Sequence, residues 1–250
     1  MTPGTWRPTR IRRVGMSVAV ASALTLTSTG LAGCGVVSTV KNVANNIQSN
    51  KDTIDAFTTG MRSNTTAAFE ATYVTTGQSP ATIVYAVRPP KDLLFTDTST
   101  GGSTGSGAAD LIVNASGEFA CTTADSSGSA VKPASCQKLG TAQAAVQNQI
   151  LDLYTPAHWV TFLQGLSLAA GFAGDKVTRS SLTVNGFDMH CVDFAAPGVP
   201  GTSTICTTAQ GLLGYVKVAS EPTSFELKSY STSPPASLFE LPPGATVAPQ

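Results

Sequence analysis

Charge is scarce in this sequence. Asp, Glu, Lys and Arg make up 12% of 250 residues, and 15 acids balance 15 bases. A broad basic surface that would grip a phosphate backbone is therefore excluded, and no nucleic-acid partner is expected. Histidine is rarer still, with only His158 and His190, and the five cysteines include no C-x-x-C pair. That leaves no metal-ligand cluster, and no P-loop or dinucleotide fingerprint occurs, so no metal and no cofactor is expected. Apolar residues are 42% of the chain, with 10 Phe, 5 Tyr and 2 Trp, which excludes a wholly disordered protein. The length leaves room for one large domain or two small ones.

The first 33 residues hold Arg7, Arg10, Arg12 and Arg13 and no acid, then an apolar small-residue run from Val14 to Leu31. A basic segment, a short apolar segment and small residues before a cut site describe an export signal. Ser22, Thr25, Thr27, Ser28, Thr29 and Gly30 interrupt the run, which makes it a poor membrane span. Leu31-Ala32-Gly33-Cys34 resembles the bacterial lipobox, in which the cysteine becomes the acylated first residue of the mature protein. The expectation is a signal peptide over 1–33 and lipidation at Cys34. The protein would then sit on the outer face of the cell membrane, tethered rather than spanning. The mature part keeps 15 − 4 = 11 bases against 15 acids, about −4 net. Attachment would therefore rest on acyl chains, at about 0.8 kcal/mol per buried methylene.

Four cysteines remain, and an even number in an exported chain reads as disulfides. Cys121 and Cys136 are 15 positions apart, as are Cys191 and Cys206, and each interval is Gly/Ser/Pro-rich like a hairpin loop. Of the three pairings available, the spacing favours Cys121–Cys136 and Cys191–Cys206. Each bridge is worth roughly 3 kcal/mol in the chain-entropy model.

Along the mature chain, Val36, Val40, Val43, Ile47, Ile54, Phe57 and Met61 recur at helical intervals and predict a helix with one apolar stripe. It would either stand between the anchor and the domain or pack on the domain. After Asn64 the period becomes two. Strands are predicted around Ala67–Thr75, Ile83–Val87, Leu93–Phe95, Asp110–Asn114 and Glu118–Thr122, and Thr100–Gly107 reads as a loop. Ala142, Ala145, Val146, Ile150 and Leu153 then fit a helix. Thr155-Pro156 opens another, with Thr155 as N-cap and an apolar body from His158 to Phe172. Alternation returns from Val177, with an Asn185-Gly186 hairpin turn and strands over 187–194, 202–208, 212–218 and 224–231. The expected class is α+β: a curled antiparallel sheet of about nine to eleven strands, an incomplete barrel, with the helical insert in its concave face. The domain runs from 63 to 245, after an N-terminal helix or linker over 34–62 and before a frayed tail at 246–250.

The order of elements is similar to that of the LolA/LolB-like superfamily of bacterial lipoprotein carriers and its actinobacterial lipoprotein relatives. The points of likeness are the leading helix, Phe69-x-Ala71-x-Tyr73, Pro89-Pro90-Lys91 followed by Leu94-Phe95, the helical insert, the Asn185-Gly186 hairpin and Phe239-Glu240-Leu241-Pro242-x-Gly244. The resemblance spans most of residues 60–245, and none of its motifs is diagnostic alone. It implies a half-barrel with a helical lid over an apolar cavity for acyl chains. The cysteine hairpins and long Ser/Gly loops depart from the carriers, so their partners are not carried over.

Catalysis is not expected. Gly101-Gly102-Ser103-Thr104-Gly105 matches a nucleophile-elbow pattern but lacks the strand-turn-helix setting that chemistry needs. Asp188 and His190 share a strand face and read as a surface ion pair, and His158 as a packed or rim residue. Two functions compete. In one, a lipid or acylated ligand occupies a cavity between strand aromatics (Phe69, Tyr73, Tyr85, Phe95) and insert residues (Leu153, Trp159, Phe162, Leu163, Leu166). In the other, the same fold is an envelope sensor or protein-contacting module, betrayed by an exposed patch or an open edge strand. The sequence names neither the ligand, the protein partner nor the oligomeric state.

Overall fold

The computed structural model describes residues 35–63, 67–77, 80–99, 109–124, 129–141, 144, 155–195 and 200–248. The signal segment, Cys34, the Gly101–Gly105 pattern, all but residue 144 of the predicted helix over 142–153, and Leu153 itself lie outside them. Helix α1 runs Gly35–Ser63. Strands follow at β1 Phe69–Thr75, β2 Ala81–Arg88, β3 Asp92–Ser99, β4 Ala109–Asn114, β5 Gly117–Ala124 and β6 Ala130–Lys138. Helix α2, Pro156–Ala173, comes next. The rest is β7 Val177–Val184, β8 Phe187–Phe194, β9 Ser203–Thr208, β10 Leu213–Lys217, β11 Ser224–Ser231 and β12 Thr246–Ala248.

These strands form one sheet in the order β12-β6-β5-β4-β3-β2-β1-β11-β10-β9-β8-β7. Every pairing is antiparallel except β12 with β6, and the two ends do not pair with each other, so the sheet is open. Two of these strands were not expected. β6 is broken to the eye by Lys132-Pro133, and β12 falls in the tail expected to fray, where Thr246 instead pairs with Ser135. Proline is tolerated there because β6 meets only the three-residue β12 on its outer side.

The sheet curls. Three strand spacings of about 4.8 Å would hold β8 about 14 Å from β11 if it were flat. Yet the Phe187 and Tyr230 rings lie 5.5 Å apart, and Asn185 Nδ2 donates to Leu227 O at 2.9 Å. The Asn185-Gly186 turn makes this reach, with Asn185 and Gly186 both at positive φ.

Three groups of buried residues hold the fold. The first is centred on β1 and β2, with Phe69, Ala71, Tyr73, Ile83 and Tyr85, joined by Leu227, Met189 and the Cys191–Cys206 bridge. The second joins Ile54 and Met61 of α1, Val160, Leu163 and Ala170 of α2, and Val177, Val192, Phe194, Ile205 and Leu213 of the sheet. The third lies on the reverse of β2–β6, where Ala86, Leu94, Ile112, Phe119 and the Cys121–Cys136 bridge pack under Phe239. Arg88 lies 4.9 Å over the Phe239 ring, and Asn114 Nδ2 donates to Phe239 O at 2.8 Å, so the C-terminal segment is fastened down. Both predicted disulfides are present. Each joins residues directly opposite each other in a strand pair, Cys121 with Cys136 and Cys191 with Cys206.

Candidate interaction surfaces

The cavity candidates divide between two cores. Phe69, Tyr73 and Tyr85 are buried in the first, with Phe95 packed against it. Phe69 tilts onto Tyr85 at 5.8 Å. Leu163 is buried in the second, with Trp159 and Leu166 at its margin, while Phe162 is 47% exposed. The two sets do share a face of the sheet. Register partners lead from Val192 to Ile205, Val216 and Phe225, and Phe225 stacks on Tyr73 at 4.5 Å. The expected opposition of insert against strand aromatics is nonetheless not found, since α2 sits further along that face, beside α1.

Chain connectivity explains the offset. Gly174 closes α2 in the left-handed conformation at φ 82°, and β7 begins three residues later. β7 is the last strand of the sheet, six places along from β2. A helix pinned there joins the core of β7–β10 rather than that of β1–β3. Its start is fixed as the sequence implies, with Thr155 Oγ1 accepting from His158 N at 3.2 Å and Pro156 opening the helix.

The helix lying against β7 and β8 is α1, and α2 packs along it. The contact is close: a Cβ placed on Gly171 would come within 2.5 Å of Ile47 Cγ1. Asn50 completes the junction. It is 1% exposed, its Nδ2 donates to Asp175 O at 3.0 Å, and its Oδ1 accepts from Val177 N at 3.0 Å. One side chain thus satisfies both backbone groups where α2 hands over to β7. Asn50 escaped the sequence reading, although its position between Ile47 and Ile54 on the apolar stripe marks it as an inward polar group.

Two kinds of surface remain open. The first is β7. Among the described residues it pairs only with β8, and Thr178–Thr183 are exposed. Two grooves flank it and share His190 and Ala209. One, of about 240 Å³, lies between Ala56, Phe57 and Gly60 of α1 and Arg179, Thr207 and Thr208. The other, of about 330 Å³, is bounded by Ser181, Leu182, Thr183, Asp188 and Met189. The expected Asp188–His190 pair is not formed. Asp188 accepts from Thr183 Oγ1 at 2.7 Å across the β7–β8 pair, whereas His190 stands opposite Ser181 and Thr207.

The second surface is the outer side of the helical layer. None of the 18 residues of α2 is charged, and Phe162 and Leu168 are 47% and 48% exposed. A groove of about 370 Å³ follows the seam with α1, lined by Lys51, Asp55, Arg62, Gln164, Ser167 and Leu168. The Lys51 ammonium hydrogen-bonds Asp55, which holds that carboxyl below its ordinary value and raises Lys51. Arg62 stands 3.8 Å from the same carboxylate. No described helix is long and apolar enough to cross a membrane.

Among the described residues, two carboxylate oxygens are buried without a hydrogen-bond partner, Asp97 Oδ1 and Glu118 Oε2. Burial pushes the Asp97 carboxyl above its ordinary value. Among the described residues no group of His, Cys, Asp or Glu is placed to hold a metal ion.

No family model matches this chain, and no curated protein matches it. Among solved structures, a crystal structure of MucB in complex with MucA(peri) superposes with a TM-score of 0.41 and 10% sequence identity. The match covers 76% of this chain and spans 60% of the length of that one. A superposition that loose assigns no residue and no role.

Proposed function

We propose that this chain is a non-catalytic, acyl-tethered module of the cell envelope that contacts a protein partner through the β7 edge. The observation that carries the reading is the edge itself. An eight-residue strand with six consecutive exposed residues ends the sheet and is flanked by grooves on which a neighbouring chain's side chains can settle. Such an edge offers main-chain hydrogen bonds to an added strand, with pockets beside it for alternate side chains. Arg179 is its one charge, so little repels an incoming strand. The resemblance to LolA/LolB-like lipoproteins agrees with a tethered extracytoplasmic setting, and Cys34 is the residue that would carry the acyl groups.

Lipid carrying is the competing reading. It keeps one foothold, because the strand aromatics and the helical layer lie on a continuous face that meets at Phe225. Against it, Phe69, Tyr73 and Tyr85 are already packed by their own neighbours. Photo-crosslinkers at Ser181 and Thr183, compared with one at exposed Lys228, test the edge in living cells. The expected result is one defined envelope protein captured from β7 alone and lost when Leu182→Pro blocks strand addition. Equal capture from Lys228, or acyl-chain adducts in native mass spectra of the purified protein without β7 crosslinks, would overturn the reading.

A further inference from the structure

Helix α2 poses a problem that the β7 edge does not absorb. A helix apolar all round is normally buried all round. Here one side meets α1 and the sheet, while Ala157, Thr161, Phe162, Gly165, Leu168 and Ala169 face outward with no charge among them. Two further observations indicate what covers that side. α1, which α2 packs against, begins at Gly35, one residue after the lipidation candidate Cys34. Charge is also distributed unevenly. α1 carries Lys41, Lys51 and Arg62 against Asp52 and Asp55, and α2 carries none, so the layer is 3 − 2 = +1. The rest of the mature chain then holds 11 − 3 = 8 bases and 15 − 2 = 13 acids, or −5.

We propose that the outer face of the α1–α2 layer rests on the lipid bilayer that holds the tether. Phe162 and Leu168 seat at the headgroup boundary. Lys51 and Arg62, both about half exposed and bordering the seam groove, face the anionic headgroups while Asp55 lies between them. Long cationic side chains beside an apolar strip are the pattern of helices that lie in a membrane interface. The acidic sheet then points away from anionic lipid. Antiparallel packing brings Ile47 opposite Gly171, about 18 Å along α1 from its Gly35 end. α1 therefore lies along the surface rather than standing on it.

The proposal rests on the Cys34 tether, and one preparation tests the two separately. Residue 159 is the only tryptophan after position 34, and its ring lies 5.6 Å from Phe162. The acylated full-length product is reconstituted in vesicles of phosphatidylcholine and phosphatidylglycerol with brominated acyl chains. Trp159 fluorescence is expected to be quenched. In Phe162→Ser/Leu168→Ser, with its fold checked by thermal unfolding, quenching falls by at least about threefold while the protein stays with the vesicles. Retention without quenching in the parent chain, or equal quenching in the double variant, overturns the membrane face and leaves the tether standing. Release of the parent chain by an alkaline carbonate wash overturns the tether, and this orientation with it.

Discussion

Replacing Asn50 by alanine is the sharpest test of how the helical layer is fastened. The side chain is 1% exposed and bridges α1 to the α2–β7 junction through two hydrogen bonds of 3.0 Å. Truncation removes one donor and one acceptor and leaves Asp175 C=O and the buried Val177 N–H without them. An unsatisfied buried polar group costs about 1–3 kcal/mol. Val177 is only 5% exposed, so its amide has little access to water, whereas half-buried Asp175 relaxes more easily. A loss of about 2–4 kcal/mol follows for the pair. In a domain of this size that is roughly a 5–15 °C drop in Tm. Urea unfolding followed by Trp159 fluorescence, with calorimetry as a second probe, measures it. Asn45→Ala, on the exposed side of the same helix, is the control and stays within about 0.5 kcal/mol. An Asn50→Ala loss no larger than the control's would refute the argument that this amide clamps the layer.

Three other outcomes are expected. Gly171→Ala drives a methyl to within 2.5 Å of Ile47 Cγ1 and 2.8 Å of its Cα. It should destabilise by about 1–3 kcal/mol in chemical denaturation. Asp97→Asn should stabilise at neutral pH and lose its advantage in acid. Burial raises the native carboxyl above 3.8, so the folded state holds the proton more tightly and wild-type stability falls as pH rises through that range. Melting curves of both proteins between about pH 3 and neutrality should therefore diverge upward, and parallel curves would remove burial as the cause. Cys121→Ser/Cys136→Ser opens a bridge spanning 15 positions and should cost about 3 kcal/mol by urea denaturation, with the Cys191–Cys206 bridge left intact.

Much of the sheet is legible because alternation is a local signal. β11 is found at Ser224–Ser231 as predicted, and β8 at Phe187–Phe194. The disulfides follow from equal spacing across hairpins, and the α2 start from Thr155-Pro156. β6 fails because Pro133 and Lys132 break the apolar rhythm where edge-side pairing tolerates them. β12 fails because Thr246-Val247-Ala248 becomes a strand only when β6 is there to receive it. The candidate site fares worse. Strand aromatics and insert residues are all apolar, and periodicity says that each must be covered without saying by what. Their separation is set by the three-residue link from α2 to β7 and by the place of β7 at the end of the sheet, which is a topological fact no window of sequence contains.

The two proposed surfaces constrain each other. α1 lies against β7, and a helix with its side chains is about 10–12 Å across. If the outer side of the helical layer rests on lipid, β7 is held roughly one to two helix diameters above the headgroups. An added strand must run through that narrow zone, so it belongs to a juxtamembrane segment of a membrane-anchored protein rather than to a freely diffusing one. Lengthening the tether by a flexible Gly/Ser insert after Gly35 separates these cases. It should weaken β7 crosslinking to a membrane-anchored partner by lowering its effective concentration. Capture of a soluble partner would be unchanged, and that result would detach the edge strand from the membrane face.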